Sequence, residues 1–183
     1  MPISTAPRTW INFNSFWVGY PNKEVAVSLA QLYSEKLLRD QDLTAVKAET
    51  IIPALNNDDI SELFESANRA FAAHNYVRFP ITEEKFCQAY LQVFIAGAGF
   101  TVKSETEGSF RSDLEVDTEK LHWVIELKFQ HKKQNAEAML TQALQQIRDR
   151  NYGAASPKKR IRVAAVFSEE KRAFVCWKAT DDE

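Results

Sequence analysis

At Gly99 the hydrophobic period of the chain changes, and that change restricts the fold more than any other feature. Before it, apolar residues recur at helical spacing: Val25, Leu29, Leu32, Tyr33 and Leu37 within 22–39, then a second helical stretch over 55–73 behind the Asn56-Asn57-Asp58 cap signal. Phe86, Tyr90, Val93 and Phe94 then form one apolar stripe in a helix expected from about Glu83 to Gly97, with Thr82 as its cap. Beyond Gly99 the period is two, with Phe100, Val102 and Ser104 on one face and Thr101, Lys103 and Glu105 on the other. Apolar runs at 111–116 and 121–129 flank a short polar turn at 117–120, so the three strands read as a meander. A helix over 136–151, with Leu140, Ala143, Leu144 and Ile147 on one face, precedes Pro157 and a very apolar strand at 161–167. Strand, helix, strand in that order implies a right-handed crossover onto the same sheet. A last strand at 173–177 is expected antiparallel to its predecessor. The expected fold class is α/β, a mixed central sheet flanked by helices over 80–183, with a helical N-terminal region over 1–79.

A chain of 183 residues, 45% of them hydrophobic, is long enough to bury a sizeable core. No apolar run approaches the ~20 residues that span a bilayer, and the start lacks the apolar stretch of a secretory signal, so no membrane partner and a cytoplasmic address are expected. Cys87 and Cys176 have no metal-ligand spacing and read as core thiols rather than a disulfide. The three histidines, His74, His122 and His131, show no zinc-binding spacing, although His131 is near enough to the basic stretch to touch phosphate. The N-terminal aromatics Trp10, Phe13, Phe16, Trp17 and Tyr20 suit packing of the helical region, with base stacking as the competing reading.

Net charge is −2, but it is unevenly spread: 128–162 holds nine basic residues against Glu137 and Asp149. Either this is a solvated helix and loop, or it contacts phosphate. The second reading gains from what begins the stretch. In Trp123-Val124-Ile125-Glu126-Leu127-Lys128-Phe129, the odd-numbered residues share one core-quality face, leaving Val124, Glu126 and Lys128 on the other. Two ionisable groups in such a strand are costly unless they are paired, metal-bound or open to a cleft. A surface ion pair on a half-solvated sheet satisfies the pattern as well. Asp113 adds a third group. A hairpin centred between Thr118 and Glu119 sets Asp113 opposite Val124 and makes it a diagonal neighbour of Glu126, whereas a slip of one residue turns it to the other face. Two convergent carboxylates suit a hard divalent cation such as Mg²⁺. With Lys128 to position a nucleophile or stabilise charge, the chemistry that fits is phosphodiester hydrolysis. A glycosidase acid/base pair leaves Lys128 and the basic stretch unexplained.

Phe110-Arg111-Ser112-Asp113, twelve residues, then Glu126-Leu127-Lys128 resembles the signature of the PD-(D/E)xK nuclease superfamily. Within it the chain is similar to the nuclease domain at the C-terminus of bacterial AAA-ATPase-like proteins, where a Gly-Arg-x-Asp motif precedes an apolar strand ending Glu-x-Lys. A helix with Ala-Leu-x-Gln-Ile and a tyrosine follows there, matched here by Ala143-Leu144-Gln145-Gln146-Ile147 and Tyr152. Tyr20-Pro21-Asn22-Lys23-Glu24-Val25 also has a counterpart, so the likeness runs over 17–177. Two departures stand out: Phe110 replaces the family glycine, with Gly108 nearby, and no Gly-Lys-Ser/Thr phosphate loop is present in the sequence.

The resemblance implies action on nucleic acid, double-stranded DNA first, with Mg²⁺ or Mn²⁺. It implies catalytic roles for Asp113, Glu126 and Lys128, with Asp113 and Glu126 as metal ligands. Glu84 matches the carboxylate that many members carry on the first core helix as an extra metal ligand or metal-water contact; Glu83 is its substitute, and helix-terminus complementarity explains either residue. Gln146 matches the polar residue that the crossover helix presents to the site, and Glu105 a frequent acidic position on the first strand. Arg111, Lys132, Lys133, Arg148 and Arg150 are the expected nucleic-acid contacts. An interbacterial toxin held by an immunity protein, or a domain working with an ATPase, are both consistent with the resemblance. The alternative is a non-catalytic module that keeps the nuclease fold to bind DNA or a protein.

Overall fold

Both the helical and the extended halves are present in the computed structural model, which describes residues 47–104, 112–153 and 156–180, together with helical residues 24, 25, 27–29 and 32. A π-helical turn, Lys47–Ile51, leads into α1 (Ile52–Asn56), α2 (Ile60–Ala73) and α3 (Glu84–Gly97). The extended half follows as β1 (Thr101–Ser104), β2 (Leu114–Asp117), β3 (Leu121–Gln130), α4 (Ala136–Arg150), β4 (Lys159–Ser168) and β5 (Ala173–Ala179). Two caps differ from expectation. The Asp59 side chain, one residue beyond the Asn-Asn-Asp signal, accepts from the Glu62 N–H at 2.9 Å and starts α2. Thr82 caps nothing: Glu83 stands before α3 in extended conformation, and no side chain closes that helix end.

The five strands run β1-β2-β3-β4-β5, antiparallel except for the central β3–β4 pair, which is parallel and joined through α4. The hairpin turns one residue later than expected, because Thr118 pairs with Leu121, donating N–H to its carbonyl at 3.0 Å, and leaves Glu119-Lys120 at the tip. Val124 therefore faces Glu115, not Asp113. Moving the pivot by one residue moves every partner by two, and a shift of two keeps each side chain on its face.

One core joins α1, α2 and α3 to the odd-numbered face of β3, with Leu55, Phe64, Phe71, Leu91 and Phe94 packed on Trp123, Ile125, Leu127 and Phe129. It therefore runs across residue 80 without a break. The Trp123 indole N–H finds the Leu55 carbonyl at 2.9 Å, so this large ring buries no unpaired polar atom. A smaller cluster on the opposite face packs Leu140, Ala143, Ile147 and Tyr152 on Val124, Ala164 and Val166. The sheet is thus covered on both sides. At the edge strand β5 the register slips beside Val166/Phe167. There Asn68 of α2 donates to the Phe174 carbonyl at 3.0 Å and accepts its N–H at 2.7 Å, satisfying backbone groups of the edge strand.

The exit from α4 is fixed by conformation. Asn151 is left-handed at φ 47°. Gly153 has φ 73°, and a Cβ there would meet Val124 Cγ2 at 2.6 Å, so a side chain is excluded twice over. This turn drops Tyr152 into the smaller cluster, 3% exposed.

Candidate active site

β2 pairs with β3 only as far as Ile125. Past that point the N–H groups on the β2 side of β3 need other partners, and two carboxylates supply them. Asp113 Oδ2 accepts from the Leu127 N–H at 2.6 Å, and Glu84 Oε2, from the first residue of α3, accepts from the Phe129 N–H at 3.2 Å. Gln88, one turn after Glu84 on the same helix face, donates Nε2 to the Asp113 carbonyl at 2.6 Å and ties α3 to the strand approach. Sequence reasoning missed Gln88; its i+4 relation to Glu84 is the signal that marks it.

Glu126 stands between these groups on the α4-facing side of β3, 1% exposed. Its Oε1 accepts from Lys128 Nζ at 2.9 Å, and its Oε2 is buried without a partner. Burial first, then the Glu126 charge, pushes the Asp113 carboxyl up to about 7, although the Leu127 N–H and Lys128 pull it down. Glu126 is also raised, by burial foremost and by Glu84, against the opposing charges of Lys128 and Arg150. For Lys128 burial works to lower the value, but Glu126, with Glu84 and Asp113 behind it, overrides that and holds the ammonium protonated. A buried carboxylate pair with one ammonium is an electrostatic deficit that a cation relieves.

From the other layer, Arg150 Nη1 donates to Tyr152 Oη at 2.7 Å and its charge reaches Glu126. Gln146 Nε2 meets the same hydroxyl at 3.4 Å, so it acts on Tyr152 rather than standing apart as an exposed helical glutamine. The remaining expected residues lie further out. Glu83 is exposed and pairs with Lys85 at 2.7 Å, so it does not stand in for Glu84. Lys132, Lys133 and Arg148 are exposed, with Lys133 at φ 70° in the β3–α4 loop. Lys158 and Lys159 bind Asp117 and Asp58, and Arg162 binds Asn151, which draws much of the basic stretch into internal contacts. His131 pairs with Glu169 at 3.1 Å. Arg111, Glu105 and the N-terminal aromatics fall outside the described residues.

A covered mixed sheet whose central strand gathers carboxylates and a lysine just where a neighbouring strand stops defines a class of α/β proteins with an acidic centre. A family model of the PD-(D/E)XK nuclease superfamily matches residues 82–178, more than half of the 183 residues. The chain belongs to that superfamily. No curated protein and no solved structure matches it. The matched segment takes in Glu84, Asp113, Glu126, Lys128 and Gln146.

Members of this superfamily typically use divalent metals. Among the described residues no three carboxylate, imidazole or thiol groups stand close enough to enclose an ion by themselves. The donor set nevertheless fits a hard cation that keeps its waters and binds through one or two carboxylates. The orphaned Oε2 of Glu126 is the clearest sign, a buried carboxylate oxygen with no hydrogen-bond partner among the described residues. Among the described residues no helix is long and apolar enough to cross a membrane.

Proposed function

We propose that this chain is a Mg²⁺- or Mn²⁺-dependent deoxyribonuclease, cutting phosphodiester bonds at the end of β3. The observation that carries the reading is the convergence of Asp113 and Glu126, with Glu126 Oε2 unsatisfied and Lys128 Nζ held 2.9 Å from Oε1. Asp113 and Glu126 would hold the ion, with Glu84 close enough in charge to bias both. What such an ion supplies is an acidified water and neutralised phosphoryl charge. The protein residues do the rest. Lys128, kept protonated by Glu126, presents a fixed positive charge to phosphoryl oxygens, where a donor that needs no reorganisation is most effective. Asp113 fixes its own carboxylate against the Leu127 N–H and so aims the free oxygen. Arg150, steadied by Tyr152, offers a second positive charge from the opposite layer. DNA as substrate is supported by the exposed Lys132, Lys133 and Arg148, charges suited to phosphate contact.

The test is cleavage of supercoiled plasmid by the purified chain with Mg²⁺ or Mn²⁺. Nicking or linearisation that stops with EDTA and disappears in Asp113→Ala, Glu126→Ala and Lys128→Ala, each still folded by circular dichroism, supports the reading. Equal cleavage by the variants, or DNA binding with no cleavage under any divalent ion, overturns it; the second result assigns the chain to a non-catalytic binding role.

A further inference from the structure

Asp113 lies one residue ahead of β2, outside the ladders that hold β2 to β1 and β3. Its neighbours nevertheless press on it. The Glu126 and Glu84 charges both oppose its ionised form, and burial adds to them. A carboxylate that gives up its proton there is pushed away from the other two. Two hydrogen bonds reach the residue from other elements. One is on the carboxylate, where Oδ2 accepts from the Leu127 N–H at 2.6 Å. The other is on the backbone, where Gln88 Nε2 donates to the Asp113 carbonyl at 2.6 Å. The Ser112 hydroxyl, by contrast, reaches Leu114 and Glu115 at 3.5 and 3.3 Å, and so ties this stretch to itself. Gln88 takes its rigidity from α3. Cys87 and Leu91, close to it on that helix, are buried in the core shared with β3, and Glu84, one turn earlier, accepts the Phe129 N–H at 3.2 Å. The helix that carries the amide is thus fixed to the strand that carries Glu126.

We propose that Gln88 is a positioning residue of the acidic centre, holding the Asp113 backbone from α3 so that the ionised carboxylate stays beside Glu126. The consequence for a divalent ion rests on the nuclease reading; the hold on Asp113 does not. An ion bound by Asp113 competes with the Leu127 N–H for carboxylate lone pairs, whereas it makes no demand on the carbonyl that Gln88 grips. Gln88 is therefore the tie that persists when the centre is loaded, a contact that sets the geometry of a ligand without touching the ion. If the amide merely satisfied a carbonyl and stabilised the fold, its loss would be felt across the whole domain. A positioning role confines the effect to Asp113.

The test is amide hydrogen exchange, followed by NMR in EDTA at pH 8, of the native full chain and of Gln88→Met, which keeps the length and helix preference of glutamine and removes the donor. The Leu127 N–H reports the Asp113 carboxylate, the Phe129 N–H reports α3 through Glu84, and the amides of β4 report the fold. The expected result is Leu127 exchange about tenfold faster in the variant, the effect of losing one hydrogen bond, with Phe129 and β4 unchanged. Gln88→Asn, whose amide is one methylene too short, behaves as Gln88→Met does and carries the test should the methionine variant fail to fold. Equal Leu127 exchange in variant and native chain, or acceleration of Leu127, Phe129 and β4 together, overturns the proposal. A second readout is calorimetric titration with MnCl2, without EDTA or DNA. Binding about tenfold weaker in the variants than in the native chain supports the consequence for the ion, and equal affinity overturns it. Should the native chain bind Mn²⁺ no better than Asp113→Ala, the metal-dependent reading fails, while Leu127 exchange still decides the role of Gln88.

Discussion

Along β3, Trp123, Ile125, Leu127 and Phe129 turn towards α1, α2 and α3, while Val124, Glu126 and Lys128 turn towards α4, and both rows are largely withdrawn from solvent. The first row meets mainly apolar side chains, with one indole hydrogen bond and the His131 ring against Phe129. The second meets carboxylates, an ammonium and a tyrosine-held guanidinium, and contains an oxygen with nothing to bind. Equal burial therefore has opposite meanings. On the apolar side, removing water stabilises the fold; on the ionic side it costs stability.

The strongest way to sharpen this contrast is Glu126→Gln, which should cut cleavage by about a hundredfold or more while leaving the melting temperature of the metal-free protein unchanged or higher. A substantially lower melting temperature would mean that the ionic row is structural. On the opposite row, Leu127→Ala should destabilise the protein by roughly 2–5 kcal/mol, read as a shift in the urea midpoint. Cleavage per folded molecule should survive there, because the Leu127 contribution to Asp113 is its backbone N–H. Gly153→Ala strains the α4 exit against Val124 and should cost about 1–3 kcal/mol, measured the same way; a neutral result would show that the backing of this row yields easily. The smallest effect is in pH. The Asp113 carboxyl keeps its proton up to about 7 when folded, against an ordinary aspartate value of 3.8, so between those limits the fold binds a proton that the unfolded chain releases. The metal-free protein should then be most stable below about pH 4 as far as this group is concerned, and lose on the order of 1 kcal/mol or more as pH rises through 7. Melting curves of Asp113→Asn should lack that fall, and Mg²⁺ should raise the native melting temperature more at pH 8 than at pH 5.5.

The order and type of elements were legible because each apolar run carries its own period, and a period survives tertiary packing. Glu126 and Lys128 were legible for the related reason that charges interrupting a core-quality strand demand an explanation. The register was only half legible. Which residues face one another depended on whether the turn pivots before or after Glu119, and Thr118 settles that through hydrogen bonds to Leu121 that composition does not announce. The Glu84 contact with the Phe129 N–H was not legible as a contact at all, since it depends on how far β2 extends along β3. Nor was the pairing of Arg162 with Asn151, which removes a basic residue from the surface that the sequence suggested.

The parallel pairing of β3 with β4 has a kinetic consequence. Asp113 and Glu126 sit beside a tight hairpin and can meet through contacts near in sequence, whereas β4 cannot dock until the whole of α4 has been placed, and such distant pairings form slowly. The acidic pair should assemble before its enclosure does, so that a chain still emerging from synthesis holds the two carboxyls in a wet, unperturbed state. Pulsed hydrogen exchange should then show amide protection in β2 ahead of β4, with the chemistry switched on only by the last strands to arrive.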